Sequence, residues 1–162
     1  MKLEHIFYIN LEHRNDRKIH VEKQLNKIGL KGERFNAIKM KDGRVGCTLS
    51  HIKCLENAIE RNLDHIFICE DDITFTKPNV LKKNLDKFLN DDKISWDVCI
   101  IGGNNMPPYE KIAPYCIKIS RCQTTTGYIV KNHYFKTLLE NYKMGLLNLM
   151  KNPDKHFYFA ID

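Results

Sequence analysis

The chain has 162 residues, 43% of them hydrophobic, with 26 Lys and Arg against 20 Asp and Glu and a net charge of +6. That apolar content excludes a disordered chain, and the length suits one domain with its own core, though it is short for a two-lobed enzyme. The positive balance favours anionic ligands without naming one: nucleic acid, nucleotide sugars and anionic membranes all fit, and scattered lysines also read as a solvated basic face.

The start, MKLEHIFYINL, has Glu4 and His5 where a signal peptide would stay apolar, and its apolar run is too short to span a membrane. A cytoplasmic location is the expectation. Residues 5–11 read as a buried strand. Asp16 is expected to cap a helix over 17–28, with Val21, Leu25 and Ile28 on one stripe and Gly29 as its stop. A short strand follows at 33–38, then a loop over 39–46 and a second helix over about 48–61, capped by Thr48 or Ser50. Residues 64–69 are apolar without alternation, as in an interior strand of a parallel sheet.

Pro78 and Asn79 open a helix over 79–90. Residues 96–102 read as a strand ending in the loop GGNNMPP. YCIKIS (115–120) alternates like an antiparallel or edge strand, and TTTGYIV (124–130) enters another. Asn132 is expected to cap a helix to about Tyr142, and HFYFAID (156–162) to be a last strand. Strands alternating with helices imply βαβ units and a mostly parallel sheet. The chain reads as a single domain over 1–162, with Asp162 closing an apolar run as though a longer protein continued.

Six cysteines occur, none in CxxC, and none is expected to partner a His at zinc-ligand spacing. Several lie inside apolar runs, so buried thiols in a reducing compartment are expected.

The acidic run Glu70, Asp71, Asp72 ends the apolar strand at the place where open parallel sheets bind ligands. Three adjacent carboxylates raise one another's pKa unless a cation joins them. Mn²⁺ or Mg²⁺ bridging to a diphosphate would resolve that repulsion. Simple capping of the next turn is the other reading. Arg14 and Arg17 could reach a phosphate or lie on the surface. GCTLSH (46–51) could be an anion site at a helix start or an N-cap, and His51 could equally be a core histidine.

Taken together, FYINLEHRNDR, GRVGCTLSHIKCLENAIE, IFICEDDITF and TTTGYIV, in this order, resemble glycosyltransferase family 25 over about residues 4–131. That family includes lipopolysaccharide and lipooligosaccharide glycosyltransferases, collagen hydroxylysine galactosyltransferases and giant-virus relatives. The resemblance implies a GT-A-like, Rossmann-like α/β fold, with a mostly parallel sheet flanked by helices. It implies transfer of galactose or glucose from a UDP-sugar to a hydroxyl of a glycan or of hydroxylysine in a collagen-like protein. It puts Glu70, Asp71 and Asp72 at Mn²⁺ or Mg²⁺, and Asn10, Leu11 and Arg14 around the nucleotide. Ser50 and His51 would line the donor pocket, and Thr126 and Gly127 would lie near the sugar or acceptor. Asp72 and Asp162 are the catalytic candidates, Asp162 as the base on the acceptor hydroxyl. The alternatives are a catalytically incomplete nucleotide-sugar-binding module and a metal-dependent phosphohydrolase or nuclease using the same acids. A nucleic-acid partner is not expected, because the aromatics read as strand core.

Overall fold

A computed structural model describes residues 1–161. The first half of the chain builds three parallel strands: β1 (Ile6–Asn10), β2 (Glu33–Asn36) and β3 (His65–Glu70), joined by α1 (Asn15–Lys27) and α2 (Gly43–Glu60). After α3 (Pro78–Leu89) come two long strands, β4 (Val98–Ala113) and β5 (Cys116–Lys131), then α4 (Asn132–Lys151). A single 3₁₀ turn at Pro153–Lys155 and the short α5 (His156–Phe159) complete the described chain.

The sheet order is β2-β1-β3-β5-β4. β1 pairs parallel with both β2 and β3, whereas β5 runs antiparallel to both β3 and β4. The expected α/β fold is present, but the mostly parallel sheet is only partly so: its parallel half ends at β3. The central position of β3 follows from its sequence. His65 to Cys69 are all buried, as an uninterrupted apolar strand requires when both faces are covered.

Strand alternation then sorts the core into two layers. Phe7, Ile9, Ile66, Ile68, Tyr128 and Val130 face α2 and α4. Ile6, Tyr8, Phe67, Cys69 and Ile129 face α1 and α3. Each fully buried Ile or Phe contributes about 1.5–3 kcal/mol relative to exposure.

Five local expectations are corrected. Asp16 lies inside the first turn of α1 and pairs with Arg14 (Nε–Oδ1 2.9 Å, Nη2–Oδ2 2.7 Å) instead of capping the helix; Gly29, at φ 75°, is the stop. α2 starts five residues early, because Asp42 caps it by accepting from the Arg44 N–H at 3.0 Å. GGNNMPP continues β4 rather than forming a loop, with register irregularities beside it; β4 is the edge strand, where prolines cost no interior ladder bond. HFYF is a short helix, not a strand, with Phe157 and Tyr158 exposed. α4 also runs past Tyr142 to Lys151, because Leu146 and Leu149 continue its buried face.

Candidate active site

β3 ends in the three acids, and the same alternation that sorts the core separates them. Glu70 falls on the α2 face, as Ile68 does, and Asp71 falls on the α1 face, as Cys69 does. Asp72 lies in the turn beyond, about half exposed.

On the α1 face, Asp71 is held by two neighbours. Asn10 Nδ2 donates to its Oδ2 at 2.8 Å and Arg17 Nη1 donates to its Oδ1 at 3.0 Å. Asn10 is buried at the end of β1; its Nδ2 also donates to the Arg14 carbonyl at 3.0 Å, and its Oδ1 accepts from Arg34 Nε at 2.9 Å. Arg17 reaches on to Asp72 Oδ2 at 3.2 Å. α1 fastens the following turn: Gln24 Oε1 accepts from the Phe75 N–H at 3.1 Å, and His20 Nε2 lies 3.0 Å from the Ile73 carbonyl. At the carboxyl ends of β1 and β3, Arg17 thus bridges Asp71 and Asp72, while Arg34 of β2 holds Asn10 and Arg14 pairs with Asp16. Arg14 turns towards Asp16, and Leu11 is half-buried beside it.

The α2 face is built differently. Glu70 Oε1 accepts from Thr125 Oγ1 at 3.0 Å and lies 3.6 Å from His51 Nε2. His51 is wholly buried, and its Nδ1 shares a hydrogen bond with the Tyr128 hydroxyl at 2.9 Å. Burial pushes the Glu70 carboxyl up, but the polar contacts of His51 and Thr125 and the charge of Arg17 outweigh it and hold it below its ordinary value. Burial also raises the Tyr128 hydroxyl well above its usual range and Tyr142 to about 12.

Several site expectations shift accordingly. Glu70, Asp71 and Asp72 do not converge on one point. Among the described residues, the group of ligand atoms close enough to share a metal is Cys47, His51 and Glu70. Cys47 and His51 lie one helical turn apart, which corrects the expectation that no cysteine partners a histidine at ligand spacing. GCTLSH lies inside α2, so its backbone donors are already used and it is not an anion site at a helix start. Ser50 and His51 are buried rather than lining an open pocket; Ser50 Oγ donates to the Gly46 carbonyl at 2.7 Å and accepts from the Ile38 N–H at 2.9 Å. Gly127 is a packing position: a Cβ there would lie 2.6 Å from Ile73 Cδ1, in the turn after the acids. Thr126 is half-buried beside it on β5. Asp162 lies outside the described residues.

Arg17, rather than Arg14, contacts Asp71 and Asp72, and Arg34 and Thr125 join the two clusters without a motif that marks them in the sequence. The spacing of Arg17 places it one turn into α1, facing the sheet end. Nothing local marks Arg34, which depends on β2 pairing with β1. A cavity of about 740 Å³ between α3 and the β4–β5 hairpin is larger than the one beside Glu70 and contains none of these residues. The smaller, about 410 Å³, is bordered by Thr125 and Tyr142 and lies next to Glu70.

The profile of glycosyltransferase family 25 (LPS biosynthesis protein) matches residues 39–148. A provisionally named glycosyltransferase of Haemophilus influenzae is 33% identical over 131 residues, covering 74% of this chain and 43% of that protein. Procollagen galactosyltransferase 1-B of Xenopus laevis is 26% identical, over 90% of this chain and 29% of its own length. Inactive glycosyltransferase 25 family member 3 of Mus musculus is 27% identical, over 74% of this chain and 19% of its own. The chain therefore spans less than half the length of these relatives. A solved glycosyltransferase involved in the glycosylation of the major capsid of PBCV-1 shares the fold, with a TM-score of 0.51 at 13% identity over 91% of this chain and 67% of that one. No helix among the described residues is long and apolar enough to cross a membrane. With a profile match over more than half its length, the chain belongs to glycosyltransferase family 25.

Proposed function

We propose that this chain binds a UDP-sugar at the carboxyl ends of β1 and β3 and transfers its hexose, galactose or glucose, to a hydroxyl of a glycan or of hydroxylysine in a collagen-like protein. The observation that carries this reading is the Asn10–Asp71–Arg17 cluster at the sheet end, in a chain of this family. Arg17 and Arg14 supply bidentate donors of the kind a diphosphate accepts. Asn10 holds Asp71 in place, and Asp71 holds Arg17 in turn.

Whether the acids suit Mn²⁺ or Mg²⁺ is decided by what each already contacts. Glu70 and Asp71 are committed to opposite faces. Asp72 is exposed, and its single contact with half-exposed Arg17 is of a kind that exchanges at little cost. One carboxylate plus donor phosphate oxygens is a sufficient site for such an ion. When bound, the ion would neutralise charge developing on the departing diphosphate. Thr125 borders the smaller cavity, where a sugar or acceptor hydroxyl would be met, and Thr126 follows it on β5. Asp162 is the candidate base on the acceptor hydroxyl.

Calorimetric titration with UDP, with and without Mn²⁺, tests the donor site. Metal-dependent binding that is lost in Asp72→Ala supports it; no binding under either condition overturns it. A second reading, a donor-binding module without turnover, is favoured by the mouse relative whose name calls it inactive. Binding of the UDP-sugar without release of UDP in the presence of glycan or collagen-peptide acceptors would select it.

A further inference from the structure

The three groups on the α2 face form a different kind of site from the acids on the α1 face. We propose that Cys47, His51 and Glu70 bind a transition-metal ion of the zinc class, leaving a fourth position open. This does not rest on the donor-site reading, whose diphosphate-facing groups, Asn10, Asp71 and Arg17, lie on the other side of the sheet.

Two observations carry it. The Cys47 sulfur, a His51 ring nitrogen and a Glu70 carboxylate oxygen all lie within 4.8 Å of one another. Independently, His51 Nε2 is completely buried and has no hydrogen-bond partner among the described residues. It points to Glu70 Oε1 at 3.6 Å, too far for a hydrogen bond. A buried polar atom left in this way is costly, and natural structures rarely tolerate one without a reason. Two ligands bonded to one zinc at roughly 2.0–2.2 Å stand about 3.4 Å apart in a tetrahedron, close to the gap seen here.

The surroundings suit an ion. The Tyr128 hydroxyl engages Nδ1 at 2.9 Å, and with Nδ1 as the donor the Nε2 lone pair is directed at the carboxylate. Thr125 donates to the same Glu70 oxygen, Oε1, at 3.0 Å and so fixes the carboxylate. Helical spacing puts Cys47 on the same side of α2 as His51, one turn earlier. Cys47 and Glu70 are half-buried, so an ion and a fourth ligand can reach the site from solvent. One thiolate, one imidazole and one carboxylate are a poor set for Mg²⁺ or Ca²⁺ and a good one for Zn²⁺ or Co²⁺. Binding releases the Cys47 thiol proton to solvent, and the thiolate, neutral imidazole and carboxylate take the metal.

The test is titration of the reduced, chelator-treated chain with Co²⁺, followed by absorption spectroscopy, beside Cys47→Ser and Glu70→Gln. The expected result is saturation near a single equivalent, with a thiolate-to-cobalt charge-transfer band and the intense visible bands of a four-coordinate ion, both removed by added Zn²⁺. Cys47→Ser, checked for folding by circular dichroism, loses the charge-transfer band. Glu70→Gln keeps the thiol and binds at least about tenfold more weakly. Absence of the band in the unaltered chain, or its persistence in folded Cys47→Ser, overturns the proposal. The first result would leave His51 and Glu70 as a polar pair without a metal, and the second would put cobalt on other cysteines.

Discussion

The two faces of the sheet at the end of β3 hold neighbouring acids by opposite means. Asp71 is met by the buried Asn10 amide and by Arg17, which reaches in from the surface and is about 40% exposed. Glu70 is met by groups from the core, with His51 wholly buried between α2 and β5. Asp71 itself is buried, but Arg17 and Asp72 beside it are open to water and can exchange partners for a ligand at little cost to the fold. A buried polar hub cannot be altered without disturbing the packing around it. The lesson is that the acidic run is not one device: adjacent residues on a strand belong to different environments.

The largest expected effect comes from breaking the buried side. His51→Ala removes a ring packed near Tyr128 and Tyr142 and strips the Tyr128 hydroxyl of its partner. It should lower unfolding free energy by about 2–4 kcal/mol, from the cavity and the unpaired group together. Denaturant unfolding reads this, and a loss below about 1 kcal/mol would mean that the hub is not as tightly packed as described. Gly46→Ala attacks the same side through the backbone. Its Cβ would meet the Ile38 carbonyl at 2.5 Å, so either the loop before α2 or the helix itself must move. A loss of about 1–3 kcal/mol is expected, read by thermal unfolding.

Arg17→Ala should show the contrast from the exposed side. Its stability effect stays within about 1 kcal/mol, while UDP affinity falls by roughly tenfold or more, the size of a lost charge-assisted hydrogen bond. Equal damage to stability and binding would erase the distinction between the faces.

The smallest effect is at the start of α2. Burial raises the Asp42 carboxyl slightly, but its hydrogen bonds with Arg44, side chain foremost, bring it down to about 2. A depressed pKa means that the group's contribution is fully present above the unfolded value near 4 and is lost as pH falls towards 2. Asp42→Ala should therefore lower the thermal midpoint modestly at pH 5–7, with the difference from the unaltered chain closing in acid. A difference independent of pH would assign the effect to something other than the ionised cap.

Much of the fold was legible because period and punctuation agree locally. The run 64–69 is apolar on both faces and became the central strand, and Gly29 and Pro78 mark real boundaries. Misreadings fell where two local rules competed. Asp42 and Thr48 are both good caps, and nothing local says which one the helix uses. GGNNMPP carries every loop signal, yet it lies on an edge strand that its partner β5 keeps in register. HFYF has strand composition but no strand beside it to pair with. In the site, Asn10 and the acids could be found from the motif pattern. Thr125 and Arg34 could not, because each reaches its partner only through strand pairing. Cys47 was missed for a subtler reason: the helix was started after it, which hid its one-turn spacing from His51.

The sequence by itself determined that an apolar strand ends in three acids and that helices alternate with strands ahead of it, because those depend on residue order alone. Only the tertiary structure decided which acid meets which partner. A strand turns successive side chains to opposite faces, and what waits on each face is supplied by segments far away in the chain: α1 for Asp71, and α2 with β5 for Glu70.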